Sequence, residues 1–308
     1  VLFRSVASLL VLIAVVACIY ASRPALDKEI VEAINGARLP WKAGYNDFFA
    51  HMTIDEAKAM MACDVTVPSD IPVAVSTGVA APAAFDSRTQ WPNCIHPIRN
   101  QEQCGSCWAF GTTESFSDRM CIATNGSTNV VLSPQDLVSC DKGGAGCNGG
   151  IPSQAWQYFA DKGVVADSCL PYTAGKGNSG FCPLFKKCKG SGSWTPYKAD
   201  ASSIHIYNTV ELIQQAVMTD GPVTATMTVY QDFMSYKSGV YIHTTGSMLG
   251  GHAIKIVGWG TDADSKQDYW IVANSWGTTW GINGFFWIQR GTDMCGIEAG
   301  CVAGLPAQ

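Results

Sequence analysis

One cysteine of this chain lies in a setting that would make its thiol a nucleophile. Cys107 follows Cys-Gly-Ser, precedes Trp-Ala-Phe and stands at the predicted start of a helix. A helix N-terminus and a nearby imidazolium both lower the pKa of a thiol, and the thiolate is the reactive form. His252 can provide the imidazolium and later protonate a leaving amine. These residues predict nucleophilic catalysis through a covalent acyl-enzyme.

Two amides and an indole complete the predicted site. His252 follows Cys107 by 145 residues (252 − 107), and Asn274 follows after another 22 (274 − 252). Asn274 can hold the imidazole through its second ring nitrogen, and Trp276 can shield that hydrogen bond from water. Gln101 can donate its side-chain amide to a developing oxyanion, beside the backbone N–H of Cys107.

Each of these residues also has an ordinary structural interpretation. Cys107 can be half of a disulfide, and a histidine such as His252, taken alone, is more often a plain strand residue. Asn274 can be a turn residue and Gln101 a surface amide. The other four histidines lack a comparable setting. Jointly, the four residues favour the catalytic interpretation.

Composition and the N-terminal residues indicate the compartment and exclude two kinds of partner. The net charge is −5, the pI is near 5.5 and no basic cluster occurs, which argues against nucleic acid. Arg4 precedes an apolar run, Val6 to Tyr20, that is too short to span a bilayer comfortably. It predicts a signal peptide over residues 1–22, with a signal anchor as the alternative. No later run is long enough for a membrane span, so we expect a lysosome- or vacuole-like compartment, or secretion.

The segment after the signal peptide predicts two short helices and an extended linker. Leu26 to Arg38 carries apolar residues at helical spacing. Thr53, with Glu56 three residues later, predicts the N-cap of a second helix. Residues 65–82 contain three prolines and few charges, which is typical of an extended linker open to proteolysis. The predicted units are the signal peptide 1–22, a removable segment 23–80 and a body 81–308.

The body changes from helical to strand-rich patterns along its length. Helices are predicted at 107–120, from Ser133 with Pro134 in the first turn, at 154–162 and at 210–218. Strands are predicted at 223–230, 239–242, 252–259, 269–274 and 284–289. This order predicts an α+β protein with two lobes.

Thirteen cysteines are far more than a reduced cytosolic protein usually contains. They predict a disulfide framework, with metal binding as the alternative. The only Cys-x-x-Cys unit is Cys104–Cys107, so the sequence predicts no metal site, and it predicts no cofactor. Without Cys18 and Cys63, which lie in segments expected to be removed, eleven cysteines remain. An odd number leaves one free thiol, and its context makes Cys107 the candidate.

Motifs along nearly the whole chain resemble those of one family. They include Trp41-x-Ala-Gly-Tyr-Asn46, Cys147-Asn-Gly-Gly150, Gly250-Gly-His-Ala-Ile254, Asn274-Ser-Trp276 and Cys295-Gly-Ile-Glu298. The chain thereby resembles papain-like cysteine peptidases and, more narrowly, cathepsin B-like ones. The resemblance implies a helical left lobe, mainly residues 100–205, and a β-barrel-like right lobe, mainly residues 206–300, with the active site in the cleft between them. It also implies that residues 23–80 are an inhibitory pro-segment that occupies the cleft backwards in a zymogen.

The same resemblance implies disulfides, substrate contacts and partners. The disulfides would be Cys94–Cys121, Cys104–Cys147, Cys140–Cys182, Cys169–Cys188 and, from the two cysteines left over, Cys295–Cys301. Gly149 and Gly150 would pair with the substrate backbone, where a side chain would crowd it. Further substrate contacts would come from Pro152, Thr226, Gly251, Ala253, Trp276 and Gly300. Expected partners are protein and peptide substrates and cystatin-type inhibitors, and Asn125-Gly-Ser is a candidate glycosylation site.

Two departures from the cathepsin B-like pattern bear on activity. In those enzymes a flap with two adjacent histidines binds the substrate's C-terminal carboxylate and gives dipeptidyl carboxypeptidase activity. The corresponding stretch, Cys169 to Cys188, contains no histidine, and the positions that latch the flap are Asn100 and Thr279. The Gly-rich loop Pro171 to Gly180 within it carries one solvated cation, Lys176, which contributes little attraction. The sequence therefore predicts no such flap and an open, endopeptidase cleft.

The second departure concerns the base of the main selectivity pocket, where a glutamate often accepts arginine. Alignment through the Cys295 motif puts Gly300 at this position. An arginine there would be desolvated without a partner, so we expect a preference for apolar or aromatic side chains. A register shift that brings Glu298 to the pocket is the alternative.

Other classes of function fit the sequence less well than a cysteine endopeptidase made as a zymogen. A catalytically silent binding protein of the same fold is disfavoured because all four catalytic residue types are present. A disulfide-stapled structural module fits poorly with the odd cysteine count. Transglutaminase-like or acyltransferase use of the same triad stays open, because fold and triad do not fix the acceptor.

Overall fold

The structure is a computed structural model that describes residues 23–308, and the predicted signal peptide lies outside this range. The described residues form seven α-helices: α1 (Lys28–Gly36), α2 (Ile54–Met60), α3 (Ser87–Gln90), α4 (Cys107–Ala123), α5 (Pro134–Cys140), α6 (Pro152–Asp161) and α7 (Val210–Asp220). Within the same range, no helix has the length and apolar character needed to cross a membrane.

Within residues 23–308, nine strands form one sheet: β1 (Trp41–Ala43), β2 (Phe85–Asp86), β3 (His205–Tyr207), β4 (Val223–Tyr230), β5 (Tyr236–Tyr241), β6 (Met248–Thr261), β7 (Asp268–Ala273), β8 (Phe285–Gln289) and β9 (Cys301–Ala303). The strand order is β1-β5-β8-β7-β6-β4-β9-β3, and β2 pairs with β6 beside this path. β5 and β8 are parallel, and the other pairs are antiparallel. The predicted α+β class is confirmed.

Helix α4 joins the helical part of the molecule to the sheet. Residues 107–121 are buried on every side of this helix. It packs against α5 and α6 on the helical side and against β4 and β6 of the sheet. Because no face meets solvent, its sequence shows no single apolar stripe. The first residue of α4 therefore lies where the two parts of the molecule meet.

Short-range sequence signals correctly predicted where several helices and strands begin or end. Thr53 and Glu56 form the predicted capping box at the start of α2. Ser133 caps α5 by accepting from the Asp136 N–H at 3.1 Å, with Pro134 as the first helical residue. The strand predicted at 223–230 forms with those bounds, whereas β6 extends well beyond the predicted 252–259.

Residues 23–80 dock on an edge of the sheet and then cross the molecule. Strand β1 pairs antiparallel with β5, and the Trp41 ring contacts Tyr241 with centroids 5.0 Å apart. The buried Asn46 side chain donates to the carbonyls of Met234 at 2.9 Å and Tyr236 at 3.1 Å. These contacts anchor the segment before it reaches the junction with α4.

Four of the five predicted disulfides form, and the fifth does not. The bonds are Cys94–Cys121, Cys104–Cys147, Cys140–Cys182 and Cys169–Cys188. Among the described residues four cysteines are free: Cys63, Cys107, Cys295 and Cys301. The predicted Cys295–Cys301 bond is wrong, and so is the inference that the body 81–308 has a single free thiol.

The two thiols of the failed pair lie in different surroundings. Cys295 has φ +58 and its thiol faces Tyr241 and Asp232. Cys301 begins β9, is fully buried and donates to the Ile297 carbonyl at 3.4 Å. Burial, with Asp232 nearby, raises the pKa of Cys295 to about 12. Both thiols are therefore protonated and engaged with different neighbours.

Candidate active site

The predicted nucleophile and imidazole come from the two sides of the molecule and meet at the junction. Cys107 is the first residue of α4, and His252 lies within β6. Both side chains are fully buried. The imidazole acts on the thiol through its charge and through a hydrogen bond. Residues 145 positions apart thus form one thiol–imidazole pair.

A hydrogen bond and an indole ring orient the His252 imidazole. Its Nε2 lies 2.7 Å from Oδ1 of Asn274, and the same oxygen accepts from the Ser275 N–H at 2.8 Å. Because an amide oxygen only accepts, Nε2 carries the hydrogen and donates it. Trp276 stacks on the imidazole with ring centroids 4.7 Å apart. The other nitrogen, Nδ1, has no oxygen or nitrogen partner among the described residues, which leaves it to the thiol.

The Gln101 amide is held toward Cys107 by hydrogen bonds at both ends. Ser275 Oγ donates to Oε1 at 2.7 Å. Nε2 donates to the Cys104 carbonyl at 2.9 Å and to the Met60 carbonyl at 3.4 Å. The Met60 oxygen also lies 4.0 Å from Cys107 Sγ. A backbone carbonyl of the N-terminal segment therefore lies where the thiol and the amide converge.

Opposing influences set the ionisation of Cys107. Burial disfavours the thiolate, but the hydrogen bond from the Cys63 thiol and the His252 imidazole outweigh it and hold the pKa of Cys107 well below its usual range. The positive end of the α4 dipole acts in the same direction. The sulfur is consequently an anion, which is the form that attacks carbonyl carbon.

Residues 61–64 run along the cleft over two of the predicted substrate-binding glycines. The Cys63 N–H donates to the Gly251 carbonyl at 3.1 Å, and the Asp64 N–H donates to the Gly150 carbonyl at 3.1 Å. A Cβ at Gly251 would collide with the carbonyl of Cys63. The segment therefore meets the cleft floor through main chain on both sides.

Gly149 extends this floor toward the helical side. Its φ of +110 lies in the region that favours glycine. A Cβ there would collide with the Ala62 carbonyl. Any side chain at this position would therefore push the segment out of the cleft.

The predicted selectivity-pocket residues border one cavity beside this floor. Its walls are Pro152, Thr226 and Gly300 together with Asp64, Thr66 and Pro68 of the N-terminal segment and neighbouring residues. Ala253 pairs with Thr226 on the adjacent strand and is buried. The space left is about 10 Å³, scarcely room for one water. The segment therefore fills this pocket.

The Glu298 carboxylate is held away from the cavity by backbone and side-chain donors. Its Oε1 accepts from Trp270 Nε1 at 2.8 Å and from the Gly291 N–H at 2.6 Å, and its Oε2 accepts from the Asp293 N–H at 2.9 Å. Of the two registers that the sequence left open, the structure places Gly300 at the cavity wall.

A buried charge cluster fastens α4 to β6 behind the thiol–imidazole pair. Lys255 Nζ lies 2.6 Å from Asp118 Oδ2 and 3.7 Å from Glu114 Oε2. Burial alone would lower the pKa of Lys255, but the two carboxylates outweigh it and raise this pKa. Burial raises the pKa of Glu114 to about 7 despite the cations Lys255 and Arg99 nearby. Below pH 7, Asp118 is therefore the main charged partner of Lys255.

Sequence reasoning missed Ser275, Lys255 and which residues of the predicted pro-segment, here 59–64, lie over the thiol. Ser275 stands inside the Asn274-Ser-Trp276 motif, where it fixes the Gln101 amide. Lys255 is a lone cation in the apolar run Ala253 to Trp259, and that contrast signals a buried partner. The third feature has no local signal, because it depends on where the segment lies after folding.

The stretch between Cys169 and Cys188 lies against the helical side. The Gln103 N–H donates to the Gly175 carbonyl at 2.8 Å, and Ser179 Oγ accepts from the Cys147 N–H at 2.9 Å. Two short 3₁₀ turns, Ala174–Lys176 and Leu184–Lys186, are its only helical pieces. Lys176 is solvent-exposed.

A thiolate at a helix N-terminus, an imidazole held by an amide, and a second amide directed at the same point are the components of a cysteine peptidase. The family described as papain family cysteine protease matches residues 81–305. The chain belongs to this family.

Within this family, the chain is similar to cathepsin B-like relatives and to solved procathepsin structures. Cathepsin B-like cysteine proteinase 4 of Caenorhabditis elegans is 41% identical, over 92% of this chain and 93% of that protein. A gut-specific cysteine proteinase of the same organism is 49% identical over 73% of this chain and 74% of that protein. The structure of procathepsin B S9 from Trypanosoma congolense has a TM-score of 0.85 at 35% identity, covering 92% of this chain and all of that one. The papain-like fold is confirmed, and the likeness to procathepsins supports an N-terminal pro-segment.

Proposed function

We propose that the protein is a cysteine endopeptidase made as a zymogen, with Cys107, His252, Asn274 and Gln101 as its catalytic residues. The observation that carries the proposal is the position of the Met60 carbonyl. Its oxygen lies 4.0 Å from the thiol and 3.4 Å from the Gln101 amide, as a scissile carbonyl would. Residues 23–80 then inhibit the enzyme, whose mature part is residues 81–308, by filling the cleft until they are removed.

The geometry supports a two-step hydrolysis. The Cys107 thiolate attacks the carbonyl carbon, and the oxyanion accepts from the Cys107 backbone N–H and from Gln101 Nε2. His252 gives its Nδ1 proton to the leaving amine, which leaves an acyl-enzyme. A water deprotonated by the same imidazole then hydrolyses the thioester and restores the thiolate. Asn274 holds the ring in place through both steps.

Cleavage within chains follows from the composition of the stretch between Cys169 and Cys188. A dipeptidyl carboxypeptidase needs a fixed cation at the distance of two residues from the scissile bond, to bind the terminal carboxylate. This stretch has no histidine, and Lys176 in its loop 171–180 is exposed to water. Asn100, at one latch position, accepts instead from the Glu102 N–H at 2.8 Å. We infer that no flap closes the cleft.

A matched pair of quenched fluorescent peptides tests this inference. One peptide ends in a free carboxylate two residues beyond the cleavage site, and the other carries an amide there. We expect kcat/KM values within about twofold of each other, because an exposed lysine adds little binding energy. A longer peptide with the site in its middle should be cut at least as fast. Preference for the free acid by about tenfold or more, with release of a dipeptide, would overturn the endopeptidase assignment.

Selectivity follows from the pocket bordered by Pro152, Thr226 and Gly300, with Ala253 on the strand beside Thr226. The nearest acid by sequence, Glu298, has its oxygens occupied by three donors. An arginine side chain entering the pocket would lose water without gaining a partner. We therefore expect the second residue on the acyl side of the cut to be apolar or aromatic.

Replacing Gly300 with glutamate should make the pocket accept arginine. Gly300 has no left-handed φ, so the backbone accommodates a side chain. A carboxylate there would pair with the guanidinium, and we expect the kcat/KM ratio of Arg to Phe substrates to rise by about 10- to 100-fold. Gly300→Gln is the matched control, with equal size and no charge. Arginine preference in the unmodified enzyme, or an equal shift with glutamine, would contradict the pocket assignment.

Location and partners follow from the same proposal. Four disulfides suit an oxidising compartment, so we propose passage through the secretory pathway to a lysosome- or vacuole-like compartment or out of the cell. Cystatin-type inhibitors are proposed partners once the segment leaves the cleft. Asn125 is exposed in the turn after α4, where a glycan would find room.

A further inference from the structure

The cleft contains a second thiol that the proposed reaction does not use. Cys63 of the N-terminal segment is 6% exposed and Cys107 is fully buried. The Cys63 thiol donates to the Asp64 carbonyl at 3.4 Å, and the Cys63 and Cys107 thiols each shift the pKa of the other. Main-chain hydrogen bonds of Cys63 to Gly251 and of Asp64 to Gly150 hold the segment on both sides of the cleft at this position. The Met60 carbonyl, three residues before Cys63, lies 4.0 Å from Cys107 Sγ, so the backbone path brings Cys63 to the catalytic thiol.

The two thiols are in complementary ionisation states. Burial raises the pKa of Cys63, and so does its hydrogen bond to Cys107, so this thiol stays protonated. Cys107 is ionised, because its bond from Cys63 and the His252 imidazole outweigh the effect of burial. A thiolate beside a second thiol is the arrangement in which oxidation of the first is resolved by the second.

We propose that Cys63 and Cys107 form an intramolecular disulfide when the zymogen meets hydrogen peroxide, so that the pro-segment becomes a covalent, reducible latch over the active site. The inference rests on the proposed function, in which Cys107 is the nucleophile. None of the four disulfides in the described residues involves Cys63 or Cys107. The fold leaves both thiols free at the same place in the cleft.

The chemistry balances in two steps. The Cys107 thiolate attacks one peroxide oxygen, the O–O bond breaks, and a sulfenic acid and hydroxide form. The Cys63 sulfur then attacks the Cys107 sulfur, and the displaced hydroxyl leaves with the Cys63 proton as water. Each sulfur is oxidised by one electron, and the peroxide is reduced to one water and one hydroxide, which takes a proton from solvent to become the second water. A dithiol reductant reverses the product and returns both thiols.

Such a latch has two effects on the zymogen. The segment stays attached at the cleft even after its chain is cut elsewhere, until a reductant acts. The nucleophile is also protected, because the disulfide stops the sulfenic acid from proceeding to sulfinic and sulfonic acids. Cys63 thereby acts as a resolving cysteine for the catalytic thiol.

The test uses the full zymogen, treated with hydrogen peroxide, alkylated and digested with trypsin without reductant. The peptide that carries Cys63 (residues 59–88) should be joined to the one that carries Cys107 (residues 100–119), and dithiothreitol should separate them. In Cys63→Ser the same treatment should instead add two oxygens to Cys107, a change that dithiothreitol does not reverse. Cys295→Ser, which removes another free thiol, should behave as the unmodified protein.

The readouts separate the latch from the proposed function. After reduction and processing, the unmodified protein should recover its peptidase activity, and Cys63→Ser should not. An active enzyme that yields no linked peptide, or equal recovery by Cys63→Ser, overturns the latch alone. A linked peptide in a protein that never shows peptidase activity supports the latch and overturns the proposed function.

Discussion

Replacing Cys107 with serine is expected to lower kcat/KM for peptide hydrolysis by about 10⁵-fold or more. In the processed form, which lacks Cys63, the sulfur owes its reactivity to the His252 imidazole and the α4 N-terminus, which both lower the pKa of Cys107 against the effect of burial. A hydroxyl in the same place has a far higher pKa and stays neutral. The imidazole, the Gln101 amide and the pocket stay intact, so only the chemical step loses its nucleophile.

The measurement needs both proteins in the processed form. The unmodified and Cys107→Ser zymogens are processed by the same added protease of another class, which is removed before assay with a fluorogenic peptide. Cys295→Ser is the matched control, since it replaces a free thiol outside the site, and it should leave kcat/KM nearly unchanged. Activity of Cys107→Ser above about one per cent of normal would remove this residue from the nucleophile role.

Replacing Lys255 with alanine should destabilise the zymogen by about 3 to 5 kcal/mol at pH 5. Lys255 is 1% exposed and lies 2.6 Å from Asp118, whose side chain is fully buried. Burial raises the pKa of Glu114 to about 7, so at pH 5 Glu114 is neutral, and the buried Asp118 keeps only His96, whose Nδ1 lies 2.7 Å from Oδ1, as a side-chain partner. Truncation also leaves a cavity between α4 and β6.

Denaturant unfolding followed by tryptophan fluorescence measures this loss, in a Cys107→Ser background that prevents self-cleavage. Lys28→Ala is the matched control, because its pair with Glu32 is 75% and 65% exposed and should contribute under about 0.5 kcal/mol. Adding Asp118→Asn to Lys255→Ala should restore part of the stability by removing the stranded charge. A Lys255→Ala effect no larger than that of Lys28→Ala would show that the cluster does not fasten the two elements.

Features of the fold governed by neighbours in sequence were predictable. The Thr53–Glu56 capping box, the Ser133 cap and the strand at 223–230 each depend on a few adjacent side chains, and each appears as predicted. Strands β3 and β9 were missed because each has three residues and exists only through pairing with distant segments. A strand of three residues is too short to show an alternating apolar and polar pattern in the sequence.

The features of the active site were likewise predictable only in part. Cys107, His252, Asn274 and Gln101 were predicted from residue type and spacing, and the structure brings them together. The Cys295–Cys301 pairing failed because sequence reveals which cysteines remain, not which way their thiols point in a folded turn. The contact of Cys63 with the catalytic sulfur likewise depends on the path of a segment across a cleft.

Residues 61–64 contact the glycines of the cleft through main-chain atoms, so blocking of the cleft does not depend on which side chains these residues carry. Amide hydrogens and carbonyls make those contacts, and glycines supply the clearance. The side chain at position 63 can therefore be substituted without weakening the binding of residues 61–64 in the cleft. The chemistry of the side chain at position 63 toward the Cys107 sulfur can therefore change while the precursor stays inhibited.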